Sequence, residues 1–293
     1  SAIEHWISGG KPKQVNNEKR LDEAVDDFST WLESTHFREK TRINLESRIN
    51  IFKSIMGDVR LSSITPEIID SFLAKRQTAA KGKLSAVTLD NDRRAVSRFF
   101  KFCCERPRHW MSHNPCREVQ IQQPDPSEPE VLTVKQCKRL LKAAQGHKEG
   151  KLLGYVVLGL FGGLRPFEAA RLNWNRISEA DKEIVIDASI SKVKRRRVIP
   201  MNATLCAWLS LCRDKAFAPG DWDNELRQIR KVAKIQHWPA DVLRHTALSH
   251  YFRLTKSFGE TAEWGGTSEA IIRDHYKARV SSAECNRYWR MRP

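Results

Sequence analysis

The chain is short of acid. Its 293 residues hold 35 Asp and Glu against 51 Lys and Arg, a formal net charge of +16 with a pI near 9.7. A surplus that large favours a polyanionic partner, most often nucleic acid. Cysteine is present but unpatterned: seven residues, none in a C-x-x-C pair, with Cys103 and Cys104 adjacent. Zinc-ligand spacing is missing, so no metal is expected, and the thiols read as reduced and packed, as in a cytosolic protein. The longest apolar run, Leu152–Phe161, is about half a membrane span, and no signal peptide is visible. Neither a membrane partner nor a secretory route is expected. Internal repeats and low-complexity tracts are lacking. Tyrosine is scarce, with only Tyr155, Tyr251, Tyr276 and Tyr288.

What is present is helical periodicity in two blocks. They flank "IQQPDPSEPE", whose three prolines read as an extended linker. The expected division is a helical domain over 1–123, a linker over 124–130 and a second domain over 131–293. In the first block, Leu21, Ala24, Val25, Phe28 and Leu32 fall at helical spacing. Thr65 is the expected cap of a helix opening at Pro66. A further helix follows the loop around Gly82, with Leu89, Val96, Phe99, Phe100 and Cys103 on its apolar face. Arg94, Arg98 and Lys101 line another face at i, i+4, i+7. Lys75, Arg76, Lys81 and Lys83 precede them with few acids between, so this surface is expected to track phosphates.

The second block opens with Thr133 and Gln136 at capping-box spacing, and Gly146 suits that helix's exit. An apolar helix ends at Phe161, and Pro166 starts another through about Leu172. "KEIVIDASISKVKRRRVIP" reads as strand, basic turn, strand. The expected class is mainly α with a small antiparallel sheet, in two domains. Arg165 and Arg244 each stand beside a helix start, where free N–H groups also favour an anion. Two such guanidiniums suit a fork on one phosphate. Taken alone, Arg165 with Glu168 reads more readily as an ordinary surface pair. Lys192, Lys194, Arg195, Arg196 and Arg197 crowd the basic turn, and Tyr276 follows a helical segment.

These segments together resemble a tyrosine recombinase of the phage integrase superfamily. "GLRPFEAARLNW" resembles the first arginine box, Ser191–Lys192 the hairpin lysine, "LRHTALSHYF" the second arginine box, and "GGTSEAIIRDHY" the nucleophile segment. Order and spacing match over roughly residues 20–290. The resemblance implies a helical core-binding domain followed by a catalytic domain. It implies that Tyr276 attacks a DNA phosphorus, forming a 3′-phosphotyrosyl bond and releasing a 5′-hydroxyl, without ATP or another cofactor. Arg165 and Arg244 would stabilise the pentavalent transition state, and Lys192 would protonate the leaving oxygen, with Lys194 the alternative. Lys81, Lys83, Arg94, Arg98, Lys101, Lys194, Arg195 and Arg196 would contact double-stranded DNA. Four protomers would join two sites, the chain being a monomer or weakly associated otherwise. The segment 277–293 would pass to a neighbouring protomer, with Tyr288 and Trp289 as its apolar anchor. Tyr288 is also the rival nucleophile.

Two positions depart from the family pattern. Asp241 stands where a histidine usually precedes the second arginine, and Thr267 where His or Trp is usual. A carboxylate about 4 Å from a phosphate is repelled by roughly 4 kcal/mol at an effective dielectric near 20. Asp241 is therefore read chiefly as a helix cap, with proton transfer from Tyr276 as its other role. Thr267 is a hydrogen-bond donor to a phosphate oxygen. His245 and His275 are the nearby imidazoles and the candidates to supply the missing one, although His245 is also a common feature of the second arginine box, where it is expected to be structural. The departures leave two alternatives: a recombinase-like DNA-binding protein that no longer cuts, and a related cleave-and-reseal enzyme such as a type IB topoisomerase or telomere resolvase.

Overall fold

In the computed structural model the described residues are 19–121, 130–191, 194–213, 215–218, 220–276 and 280–293. The expected linker falls almost wholly outside them. The chain forms two compact units, Ser1–Pro126 and Ser127–Pro293.

The first unit is helical. Helices α1 (Leu21–Ser34), α2 (Glu39–Met56), α3 (Pro66–Ala79) and α4 (Ala86–Cys104) enclose one apolar core. The α1 face buries Leu21, Ala24, Val25, Phe28 and Leu32, the residues its periodicity marks. Aromatic edges fill the centre: Phe52 meets Phe72 at 4.9 Å and 87°, and Phe28 meets Phe99 at 5.5 Å and 85°. Ser85 caps α4 through the Thr88 amide. Thr65 precedes α3 as expected, but its hydroxyl makes no capping bond. Pro66 supplies that helix start instead, with φ already set and no amide to satisfy.

In the second unit, α5 (Val134–Gly146) carries the full capping box of Thr133 and Gln136. Helix α6 (Leu153–Gly162) is buried along its whole length. It contacts α5, α7 (Pro166–Arg171), α8 (Ala203–Leu209) and α10 (Val242–Thr255). Helix α9 (Trp222–Val232) lies on α5. Helices α11 (Phe258–Gly265), α12 (Glu269–Tyr276) and α13 (Ser282–Trp289) complete the unit. The sheet has one more strand than the sequence suggested. It runs β1 (Ile177–Ser178), β2 (Glu183–Ile186), β3 (Arg197–Pro200), all antiparallel. Only two residues form β1, too few for a period to show.

Residues 280–293 lie against their own unit. Tyr288 is fully buried, stacks on His250 with centroids 3.8 Å apart, and donates its hydroxyl to the Leu160 carbonyl. Trp289 Nε1 donates to the His250 carbonyl at 3.3 Å, and Trp208 Nε1 to that of Met291 at 3.1 Å. Tyr288 and Trp289 thus anchor this segment within the protomer. Among the described residues no helix is long and apolar enough to cross a membrane.

Candidate active site

The first arginine box is built around a buried carboxylate. Gly163 turns the chain with a left-handed φ of +63°, leaving α6 and bringing Arg165 to the start of α7. A β-carbon at Gly163 would meet the Trp264 ring at 2.6 Å, so only glycine passes here. Glu168, one turn on, is wholly buried. It accepts from the Arg165 amide at 3.0 Å and from Arg165 Nη1 at 3.1 Å. Arg197, from β3, donates Nη1 and Nη2 to the same carboxylate at 3.0 and 2.6 Å. This is no surface pair. Burial alone would raise the Glu168 carboxyl, but the hydrogen bonds and charge of Arg197, with those of Arg165, bring it down to about 2.

The two box arginines lock each other's surroundings. Arg165 Nη2 donates to the Gly266 carbonyl at 2.8 Å, reaching the turn between α11 and α12. Arg244, on α10, is buried and donates Nη1 to the Gly163 carbonyl at 2.8 Å, two residues before Arg165. A β-carbon on Gly265 would lie 3.5 Å from Arg244 Nη2. Burial, then repulsion from Arg165, pushes the Arg244 guanidinium down to about 9. It is still a cation at neutral pH, held where an anion would relieve it.

Tyr276 ends α12 and is buried, at 3% exposure. Its hydroxyl and His245 Nδ1 share a hydrogen bond of 2.5 Å, with the rings 30° apart. Burial pushes the phenol up to about 12; Arg244 and Arg165 act against that shift, and Asp241 adds to it. The phenol therefore lies within the electrostatic reach of both arginines. Tyr155 is buried in the core and Tyr251 stacks on Trp264 at 4.1 Å.

Other expected residues are placed differently from one another. Thr267 is half-buried in the turn before α12, its amide bonded to the Ala262 carbonyl at 2.9 Å. Asp241 stands at the N-cap position of α10, but it makes no side-chain cap. Its backbone is left-handed, with φ +54°, and it is exposed, so the capping reading is corrected. Lys192 lies outside the described residues. Lys194, Arg195 and Arg196 are exposed, whereas Arg197 leaves the basic turn and enters the sheet. Arg197 and Ile199 alternate with Val198 and Pro200 and share the buried face of β3. The sequence marks His245 as a candidate imidazole, but its contact with Tyr276 is not readable there, because α10 and α12 meet only in space.

In the first unit, Lys81, Lys83, Arg94, Arg98 and Lys101 are all exposed. Arg94 bridges Asp90 at 2.8 Å, Arg98 lies over the Phe37 ring, and Lys101 reaches Glu105 at 3.6 Å. Arg94 and Arg98 line an open groove with Asn44, Arg48 and Asn91. Arg76 is drawn inward instead, to the buried Asp92, which also takes Arg48. Among the described residues no three His, Cys, Asp or Glu side chains gather as metal ligands.

Residues 130–257 match the phage integrase family. This segment is similar to phage integrase domains. Tyr276 lies beyond the matched stretch. The fold of the chain is shared with solved integrases. A lambda integrase dimer bound to a COC′ core site superposes with a TM-score of 0.74 at 16% identity, covering 96% of this chain and 83% of that one. A lambda integrase tetramer bound to a Holliday junction gives 0.72 at 17%, covering 96% and 86%. The Tn1549 transposon integrase with transposon right end DNA gives 0.69 at 15%, covering 92% and 98%. Identity at that level carries the fold. No curated protein matches the chain.

Proposed function

We propose that this protein is a site-specific DNA recombinase that cleaves and rejoins strands through a phosphotyrosyl intermediate. The observation that carries the reading is how residues far apart in sequence gather: Arg244 on α10 donates to the Gly163 carbonyl two residues before Arg165, and the next residue on α10, His245, meets the Tyr276 hydroxyl at the end of α12. The two guanidiniums hold the scissile phosphate between them and neutralise the charge that builds on its oxygens during attack, typically worth about 3–4 kcal/mol per donor. Tyr276 Oη forms the new bond to phosphorus, and the bond to the 5′-oxygen breaks. That oxygen takes a proton from the hairpin, from Lys192 or Lys194. The phosphodiester energy is kept in the tyrosyl ester, so a 5′-hydroxyl from another strand reverses the step.

Glu168, itself held by Arg197, fixes the Arg165 guanidinium, and Thr267 donates its hydroxyl to a phosphate oxygen. The exposed bases Lys81, Lys83, Arg94, Arg98 and Lys101, with Lys194, Arg195 and Arg196, grip the duplex backbone. Four protomers assemble on two sites. Exchange of the segment 277–293 between neighbours would release Tyr288 and Trp289 from their contacts with His250 in the same unit.

Nicked duplexes carrying sequences enriched from a random pool by the purified protein provide the test. Denaturing electrophoresis should show a DNA-linked protein band that Tyr276→Phe abolishes. A variant that still forms the band would remove Tyr276 as nucleophile. Salt-sensitive binding with no adduct on any enriched site would favour a DNA-binding protein that no longer cuts.

A further inference from the structure

Nucleophilic attack by Tyr276 leaves a proton to be placed. With the phenol at about 12, only about one molecule in 10⁵ is ionised at pH 7. The family's usual imidazole before the second arginine is absent, and Asp241 in its place is exposed. Another imidazole already touches the nucleophile: His245 Nδ1 lies 2.5 Å from the Tyr276 hydroxyl. His275, the other nearby histidine, stands edge-on to the Tyr276 ring with centroids 6.5 Å apart.

Resting on the recombinase reading above, we infer that His245 is a catalytic residue: its Nδ1 takes the Tyr276 proton as the O–P bond forms. The step is balanced. The phenol O–H bond breaks and an Nδ1–H bond forms. The Tyr276 oxygen gains the phosphorus, and the 5′-oxygen leaves with a proton from the hairpin lysine. When the 5′-hydroxyl returns, the imidazolium hands its proton back to the tyrosine.

The surroundings suit a base in this position. His245 is half-buried on α10, one residue after Arg244. Burial first, then Arg244 and His275, hold it below the usual histidine range, so it is neutral and receptive near pH 7. Asp241 acts in the opposite sense and favours the protonated ring. It is the group that stabilises the imidazolium once the proton has moved. The departure that made Asp241 awkward as a phosphate neighbour thus becomes useful one helical turn away, where the His245 amide bonds to the Asp241 carbonyl at 2.9 Å.

Two measurements test this. In ¹⁵N spectra of the free protein, His245 should carry its proton on Nε2, with an acceptor-type Nδ1 that shifts in Tyr276→Phe. In single-turnover reactions with the enriched nicked duplexes, wild-type adduct formation should rise through the His245 titration and then stay flat to about pH 9. His245→Ala and His245→Asn should each be at least about 100-fold slower at pH 7. Their rates should climb tenfold per pH unit, while DNA binding and melting temperature stay at wild-type values. A protonated Nδ1, a variant rate within threefold of wild type, a surviving plateau, or a faster variant would each overturn the assignment; the last would make His245 a latch on an idle tyrosine. If wild-type protein forms no adduct, the recombinase reading fails and takes this inference with it. A spectrum or variant that disagrees beside an active wild type sinks the inference alone.

Discussion

Arg197 places both terminal nitrogens on Glu168, at 3.0 and 2.6 Å, and Glu168 in turn carries the amide and guanidinium of Arg165. One carboxylate joins the sheet to the first arginine box. Neither cation has a comparable anion elsewhere among its described contacts, so the carboxylate sets the geometry of both.

Removing that charge should be costly. Glu168→Gln leaves two enclosed cations sharing a neutral amide, and a loss of about 3–5 kcal/mol is expected in chemical denaturation. The carboxyl is depressed from an ordinary 4.5 to about 2 in the folded protein. Its stabilising effect is therefore complete above about 4.5 and disappears as pH falls towards 2. Wild-type stability should drop across that window, and Glu168→Gln should drop less.

The two C-terminal tyrosines should part cleanly. Tyr288→Phe removes the hydroxyl from the Leu160 carbonyl but keeps the stack on His250. It should lose about 1–2 kcal/mol of stability and still form the DNA adduct. Tyr276→Phe should melt near wild type and form none. Thermal melts beside denaturing gels read both.

Asp241→Asn should move the acid limb of the cleavage profile to lower pH. The Asp241 carboxylate raises His245, so its removal lets burial and Arg244 hold the imidazole lower still. A limb that stays in place, or moves up, would separate Asp241 from His245.

Gly163→Ala should destabilise the second unit by about 2 kcal/mol or more. It combines a left-handed φ of +63° with a β-carbon 2.6 Å from the Trp264 ring. Soluble yield and melting temperature should both fall.

Arg94→Ala tests the expected phosphate-tracking face. Its guanidinium is exposed and borders the groove on α4. DNA affinity should fall for all sequences alike, and the slope of log affinity against log salt should shrink by about 1. An unchanged slope would remove Arg94 from the interface.

Much of the scaffold was readable along the chain because local rules governed it. Leu21, Ala24, Val25, Phe28 and Leu32 repeat at helical spacing, and they are the buried face of α1. Thr133 and Gln136 sit three apart and close the capping box. Pro166 begins α7 where its fixed φ allows. Misreadings came where a residue's role depended on distant partners. Thr65 and Asp241 hold cap positions without capping, since position in sequence does not aim a side chain. Arg76 looked like part of a basic face but turns inward to Asp92, sixteen residues away on another helix.

By itself the sequence determined the helical blocks, the basic surplus, the hairpin and the arginine boxes, because periodicity, capping and charge are properties of neighbouring residues. Tertiary structure alone decided that Arg197 is buried on Glu168, that Tyr288 is sealed against His250, and that Tyr276 rests on His245. Those pairings join residues 29 to 38 positions apart. They depend on how α7, α10, α12 and the sheet pack, and burial and charge are settled only by that packing.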